Sequence, residues 1–162
     1  MRSEADINRA LQMYADTVRR ICFMHLNNRS DVEDVFQEVF LKYALHVAPF
    51  ESDAHERAWL IRVAINACKD VLKSFWRQNV FSLEEAKITG LTVSEEHKDV
   101  LEAVLRLTPP KYRDVIYLHY YEGYTAAEIA SILRQKENTI YTWLARARKQ
   151  LKSLLGGEPI ER

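Results

Sequence analysis

The sequence predicts an all-α protein made of two small helical domains on a flexible linker, and three observations carry that expectation. Apolar residues recur every three or four positions through most of the chain, the spacing of one face of an α-helix. Only four Gly and four Pro occur in 162 residues, few for a many-turned β protein, whereas Ala, Leu, Glu, Lys and Arg are plentiful. The periodicity lapses from about Gln78, where "NVFSLEEAKITGLTVSEE" mixes Gly90, β-branched residues and acids without a sustained stripe. The expected division is a three-helix domain over 1–77, a linker over 78–94, a four-helix domain over 95–157 and a tail over 158–162.

The first helix is marked by Ile7, Leu11, Tyr14, Val18, Ile21, Cys22 and His25 and runs to about Leu26. In "NNRSDVEDV", Ser30 followed by Glu33 has the spacing of a capping box, which starts a second helix near Asp31. Its stripe is Val32, Val35, Phe36, Val39, Tyr43 and Val47, and Pro49 stops it because proline has no N–H for the ladder. After the loop "APFESDAH", Asp53 with Glu56 starts a long third helix, with Trp59, Val63, Ala67 and Val71 along one side. Beyond the linker, Val100, Leu101, Val104 and Leu105 form a short helix ended by Pro109 and Pro110, and Pro110 can open the next. "KYRDVIYLHYYEG" turns Tyr112, Val115, Ile116 and His119 inward and ends on a capping Gly123. Thr125 and Glu128 form another capping box before Ile129, Ile132 and Leu133, and the last helix follows after only three or four residues. Small Ala130 at the crossing makes the final pair a helix-turn-helix.

Composition narrows the function. Lys and Arg total 23 and so do Asp and Glu, so no net field draws the whole chain onto nucleic acid or an anionic membrane. The balance conceals an asymmetry: residues 81–107 hold three basic and six acidic side chains, net −3, and residues 108–162 hold nine and six, net +3. Cys22 and Cys68 form no Cys-x-x-Cys pair, and Cys22 with His25 offers two metal ligands where a site needs more, so core positions, no metal and a reducing cytoplasmic setting are expected. The N-terminal residues carry acids where a signal peptide is apolar, and no run approaches 18 uncharged apolar residues, so no membrane insertion is expected. No glycine-rich phosphate loop, His-Glu-x-x-His or nucleophile elbow is present, which argues against an enzyme or a cofactor.

Two helices carry basic faces. On the wheel of the last helix, Ile140, Leu144, Ala147, Leu151 and Leu154 share a core sector, with Trp143 at its border as a core residue rather than a base stacker. Opposite lie Asn138, Thr142, Ala145, Arg146, Lys149 and Lys152, polar first and then basic. In a helix-turn-helix the early positions of the second helix reach base edges while flanking cations neutralise phosphates. On the third helix, Arg62, Asn66, Lys69, Lys73 and Arg77 share a face, with Trp59, Phe75 and Trp76 near its ends. Cations with interleaved aromatics suit a single strand, though the same pattern also fits a solvated helix face.

The segments "SDVEDVFQEVFLKY", "AWLIRVAINACKDVLKS" and "LTPPKYRDVIYLHYYEGYTAAEIASILRQKENTIYTWLARARKQL", in this order and spacing, resemble bacterial sigma-70 family factors of the short extracytoplasmic function group. That resemblance implies a promoter-specificity subunit whose partners are core RNA polymerase, promoter DNA and an anti-sigma factor. Asp31, Asp34, Gln37, Glu38 and Lys42 match the positions that dock on the clamp helices of the largest polymerase subunit, and the flap of the second-largest subunit is a further contact. Phe50 and its loop match the minus-10 base pocket, with Asn66, Lys69, Asp70, Lys73 and Arg77 as strand contacts. Lys136, Glu137, Asn138, Thr139, Tyr141, Thr142, Arg146 and Lys149 match the minus-35 reader. The chain departs from many relatives in having Arg134 where glycine sits in the turn, Lys136 where serine caps the helix, and Trp143 where arginine is frequent. Those departures leave the turn geometry and the base preference open. The competing expectation is a helix-turn-helix regulator that binds duplex operators without polymerase; a helical adaptor would leave the basic faces unexplained.

Overall fold

The computed structural model describes residues 1–76 and 98–156, and the chain divides into two compact units. The linker expected over 78–94 and the tail over 158–162 lie outside the described residues. Among the described residues the regular elements are all helical. The first unit holds α1 (Glu4–His25), α2 (Arg29–Leu45) and α3 (Asp53–Trp76), and the second α4 (Lys98–Leu105), α5 (Lys111–Ile116), α6 (Ala126–Leu133) and α7 (Glu137–Leu154).

In the first unit each helix start is set by a short polar side chain. Ser3 Oγ accepts from the Asp6 N–H at 3.1 Å, beside Glu4 and Asp6, whose charge suits the helix N-terminus. The start of α2 falls earlier than the spacing of Ser30 and Glu33 suggests. Asn28 is the cap: its Oδ1 accepts from the Asp31 N–H at 2.8 Å while its Nδ2 donates to the Asp31 carboxylate at 2.9 Å. For α3 the cap is Ser52, whose Oγ accepts from the His55 N–H at 3.1 Å, rather than Asp53 with Glu56. The end of α2 also differs from expectation. It stops at Leu45, before Pro49, because Arg2 takes its last carbonyls: the backbone N–H bonds Ala44 O at 2.9 Å and Nε bonds Tyr43 O at 3.2 Å. Val47 therefore leaves the stripe and is 67% exposed.

The core of this unit is Ala10, Tyr14, Val18, Ile21 and Cys22 of α1 and Val32, Val35, Phe36, Val39 and Tyr43 of α2, set against Leu60, Ile61, Ala64, Ile65, Cys68 and Leu72 of α3. The α3 stripe is rotated from the expected one. Of the four expected positions only Ala67 is buried; Trp59, Val63 and Val71 are half-buried flanks. Burying each Leu or Ile side chain contributes about 1.5–3 kcal/mol, so the line with more large aliphatics wins the interior.

Glu56 is the residue whose role changes most. It is 3% exposed and accepts two bonds from Arg9 Nη2 at 2.8 and 3.0 Å and one from the Tyr43 hydroxyl at 2.6 Å. Arg9 lies on α1, Tyr43 on α2 and Glu56 on α3, so one carboxylate ties all three helices. Burial pushes the Glu56 carboxyl up, but the bonds from Arg9 and Tyr43 outweigh it and its pKa falls below the ordinary 4.5. Burial, with Glu56 beside it, in turn pushes the Tyr43 hydroxyl up.

In the second unit, Ala103, Val104 and Leu105 of α4 and Leu107 beyond it are buried, while Val100, expected inward, is exposed. Gln150 of α7 pairs with the Thr108 backbone, Nε2 donating to its carbonyl at 2.7 Å and Oε1 accepting its N–H at 3.2 Å. Arg113 is buried with its Nε on Leu107 O at 3.2 Å; burial lowers its pKa to about 10 against the pull of neighbouring Asp114. α5 runs into a wider π-type turn, Tyr117–Tyr121. The extra residue in that turn carries His119 out of the expected inward position; it is half-buried, its Nδ1 donating to Tyr124 O at 2.8 Å, and Leu118 fills the core instead. Gly123 ends the element at φ +80°, and the Tyr124 N–H reaches back to Leu118 O at 3.0 Å.

Because the Glu56 pKa is depressed in the folded state, its contribution is present above pH about 4.5 and is lost as pH falls through the folded value. Glu56→Gln is expected to destabilise the chain by about 1.5–3 kcal/mol at pH about 7, with the gap from the parent closing in acid. Urea titrations at a series of pH values check both; a gap that persists unchanged at pH about 3 refutes the charged role.

Candidate nucleic-acid interface

The helix-turn-helix is α6 and α7. Thr125 Oγ1 accepts from the Glu128 N–H at 3.2 Å and the Glu128 carboxylate accepts from the Thr125 N–H at 2.9 Å, so the expected capping box is present. Ile129, Ala130 and Ile132 bury against the rest of the unit, while Leu133 is half-buried. In the turn, Arg134 occupies the left-handed region at φ +56° and ψ +50°, and the Gln135 N–H bonds Ala130 O at 2.9 Å. The turn geometry left open by the sequence is thus the one glycine adopts freely, and a side chain there is strained by about 1–3 kcal/mol. Lys136 caps α7 with its backbone alone; no side-chain hydrogen bond forms.

Ile140, Leu144, Ala147 and Leu151 are buried on the inner face of α7, as the wheel predicts. Leu154, in the same sector, is 40% exposed and lines a shallow cavity with Glu102 and Ala103 of α4 and Arg106 just beyond it. Lys136, Glu137, Asn138, Tyr141, Thr142, Arg146 and Lys149 are exposed together on the outer side, and Thr139 is half-buried. Thr142 Oγ1 donates to Asn138 O at 3.0 Å, so its hydroxyl is used within the helix. Arg148 departs from this face: its Nε donates to the Tyr120 hydroxyl at 2.6 Å. Trp143 is half-buried rather than core, with the Lys111 ammonium 4.4 Å from the centre of its ring.

On α3, Asn66, Lys69, Asp70 and Lys73 are exposed along one side. Arg77 and the side chains of Phe75 and Trp76 lie outside the described residues. Trp59 falls on the same side, towards the N-terminal end, so the expected core residue instead prolongs the polar strip. It joins an aromatic cluster. The Phe50 ring is stacked parallel to Tyr43 with centroids 6.2 Å apart, and lies 5.8 Å from Trp59, 5.4 Å from His46 and 5.2 Å from His55. Phe50 is half-buried, so the strip begins at an aromatic platform and continues through cations.

On α2, Asp34, Gln37, Glu38 and Lys42 are exposed, and Glu38 pairs with Lys42 at 3.1 Å. Asp31 is partly engaged by Asn28. Between these polar groups stand Leu41 and Leu45, 59% and 61% exposed, two residues absent from the positions expected to dock. The signal was available: both leucines fall on the polar side of the α2 wheel, where no intramolecular core asks for them.

The fold is that of two small helical units, the first exposing Asn66, Lys69, Asp70 and Lys73 along α3 and the second a helix-turn-helix with Arg146 and Lys149 outward, and the comparisons with known proteins narrow that class. The family model described as sigma-70 region 2 matches residues 10–78, and sigma-70 region 4 matches residues 98–151. The ECF RNA polymerase sigma factor SigW of Bacillus subtilis is 27% identical over 161 residues, spanning 90% of this chain and 86% of that protein. Among solved structures, the sigma factor RpoE of Bartonella quintana, determined with the anti-sigma factor NepR, superposes with a TM-score of 0.70 at 19% identity, covering 93% of this chain and 96% of that one. CnrH, determined with the cytosolic domain of CnrY, gives 0.70 at 22% identity, covering 96% and 91%. The chain belongs to the sigma-70 family of RNA polymerase sigma factors, in its extracytoplasmic function group.

Two substitutions test the turn and cap. Arg134→Gly relieves the left-handed strain at some cost in chain entropy and is expected to stabilise the second unit by about 0.5–1 kcal/mol. Lys136→Ser supplies the missing cap and is expected to add about 0.5–1 kcal/mol. Thermal unfolding followed by circular dichroism reads both, and a lowered midpoint for either contradicts the geometry described for it.

Proposed function

We propose that this chain directs core RNA polymerase to a specific set of promoters and assists their opening, through three surfaces on its two units. The carrying observation is the outer face of α7: Asn138, Thr142, Arg146 and Lys149 stand exposed together on a helix-turn-helix that falls inside the region 4 match. The face reads the minus-35 duplex, with Lys136, Glu137, Asn138, Thr139, Tyr141 and Thr142 towards base edges and Arg146 and Lys149 on phosphates.

The strip on α3 takes the minus-10 strand. A base leaving the stack costs roughly a few kcal/mol, offset by stacking at Phe50 and by backbone contacts to Asn66, Lys69 and Lys73, with Asp70 and Arg77 completing the set. The third surface is the outer side of α2. Asp31, Asp34, Gln37, Glu38 and Lys42 surround Leu41 and Leu45, and an apolar centre with a charged rim suits a helical partner, here the clamp helices of the largest polymerase subunit. The flap of the second-largest subunit is a further partner for the second unit. The polymerase performs the chemistry, so no catalytic residue is assigned to this chain.

No helix among the described residues is long and apolar enough to cross a membrane; a cytoplasmic place of action follows from work on promoter DNA. RpoE was solved with the anti-sigma factor NepR and CnrH with the cytosolic domain of CnrY, and the first of these supports an anti-sigma factor for this chain as well.

The decisive experiment is run-off transcription: purified protein added to core enzyme is expected to give discrete, promoter-specific transcripts. Tight duplex binding as a dimer, with no association with core enzyme, refutes the proposal in favour of an operator-binding regulator. Arg146→Ala and Lys149→Ala are each expected to weaken promoter binding and to flatten the dependence of log affinity on log salt by about 0.9. A titration in which both slopes match the parent removes these residues from the phosphate contacts. Leu41→Ala is expected to lower core affinity more than Glu38→Ala, because an exposed ion pair is worth only about 0–1 kcal/mol. Competition for labelled core enzyme measures the difference, and the reverse order contradicts the apolar centre.

A further inference from the structure

Arg2 stands 41 residues before Tyr43 in sequence, yet it bonds the last turn of α2 and the segment beyond it at several points. Its backbone N–H bonds Ala44 O at 2.9 Å, Nε bonds Tyr43 O at 3.2 Å, and Nη2 bonds Ala48 O at 2.8 Å. Nη1 is held at 3.0 Å by the Asp6 carboxylate, whose pKa is lowered by hydrogen bonds from Arg9 and Arg2. The guanidinium carbon lies over two aromatic rings at once, 4.6 Å from the centre of Tyr43 and 4.8 Å from that of Phe50. The side chain is only 11% exposed. A planar fork with five donors can meet several fixed acceptors and still present its face to a ring; lysine has no equivalent geometry.

The segment held in this way is the connection between α2 and α3, which carries Phe50. Its far end is held by a second link, the Glu51 N–H donating to His55 Nδ1 at 3.1 Å. A loop of this kind otherwise pays for order with its own conformational entropy, roughly 1–2 kcal/mol per residue. The Arg2 bonds fall at Tyr43, Ala44 and Ala48, just before Phe50, and the cation rests on the Phe50 ring itself.

We infer that Arg2 is a positioning residue for strand capture: it holds the loop 46–52 and orients the Phe50 ring so that the aromatic platform meets the displaced minus-10 base already formed. The inference rests on the proposed reading of Phe50 as the base-capturing residue. It adds a residue from outside both sigma-70 matches, since the region 2 match begins at residue 10. A platform ordered before the base arrives need not be ordered by it, so losing Arg2 weakens capture without touching polymerase docking on α2 or duplex reading on α7.

The test uses full-length chain with core enzyme on a promoter fragment recovered from genomic DNA by run-off transcription with the wild-type holoenzyme. Arg2→Met keeps the aliphatic packing and removes the fork. Three quantities are read: core affinity, thymine reactivity to permanganate as the measure of open complex, and the thermal midpoint. Arg2→Met is expected to lower the open-complex equilibrium about tenfold, the size of one charge-assisted hydrogen bond lost, with core affinity unchanged. Phe50→Ala is expected to lower it as well, and the double substitution by much less than the product of the two effects, because Arg2 acts through Phe50.

Open complex unchanged in Arg2→Met, a loss matched by an equal loss of core affinity, or losses that multiply in the double variant each overturn the inference. So does a loss that merely follows a collapsed thermal midpoint, which marks Arg2 as structural only. A wild-type holoenzyme that initiates normally while Phe50→Ala opens promoters as well as the parent overturns the reading of Phe50, and this inference with it. A wild-type holoenzyme that opens while Arg2→Met opens equally overturns the inference alone.

Discussion

The first unit is organised around a carboxylate that helix packing cannot leave alone. Three helices meeting in a small domain bury a good deal of apolar surface, but aliphatic contacts are tolerant of sliding and rotation. A buried Glu56 is not tolerant: its charge must be met by Arg9 and Tyr43, and each stands on a different helix. Satisfying that one group holds α3 at the same rotation that burial of its Leu and Ile line favours. Once it is set, Leu60, Ile61, Ala64, Ile65, Cys68 and Leu72 face inward, and Trp59, Asn66, Lys69, Asp70 and Lys73 fall on the opposite side. The strip proposed to follow a DNA strand is therefore the face left outward once the aliphatic line and Glu56 are both buried.

The same network places the aromatic cluster. Tyr43 uses its hydroxyl on Glu56 and its ring against Phe50 and Trp59, so one side chain joins the buried carboxylate to the exposed platform. Arg2 closes the arrangement from the other side by occupying the last carbonyls of α2. In the second unit the comparable constraint is the tight turn between α6 and α7. A residue in the left-handed region lets the chain reverse within a few positions, and Arg134 accepts that conformation although it has a Cβ. The Gln150 bond to Thr108 then anchors the far half of α7 to the segment before α5. The inner face of α7 is held at several points along its length, so its outer face is presented as a rigid surface.

The fold class was legible because helical periodicity, the scarcity of Gly and Pro, and the lapse near Gln78 all agree; the helix-turn-helix was legible because its capping box and the core sector of α7 are local patterns. Other features were misread for identifiable reasons. Ser30 with Glu33 and Asp53 with Glu56 both have capping-box spacing, but Asn28 and Ser52 are nearer the points where the chain changes direction, and spacing alone does not rank competing caps. Spacing alone points to Trp59, Val63, Ala67 and Val71 as the α3 stripe, but a parallel line one or two residues away, richer in Leu and Ile, takes the interior. His119 was misplaced because a π-type turn adds a residue that no periodic rule anticipates.

What the sequence by itself determined is the set of helices, the inner and outer faces of α7 and, through resemblance, the family; these depend on neighbours within a few positions, where each residue's chemistry acts directly on the backbone. What only the tertiary structure decided is which residues from distant helices share an environment. Glu56 became a buried anchor, Trp59 a half-buried member of an aromatic cluster, and Arg2 the clamp on a loop more than forty positions away. Those outcomes follow from side chains of distant helices packing together, a condition that exists only once the helices have met.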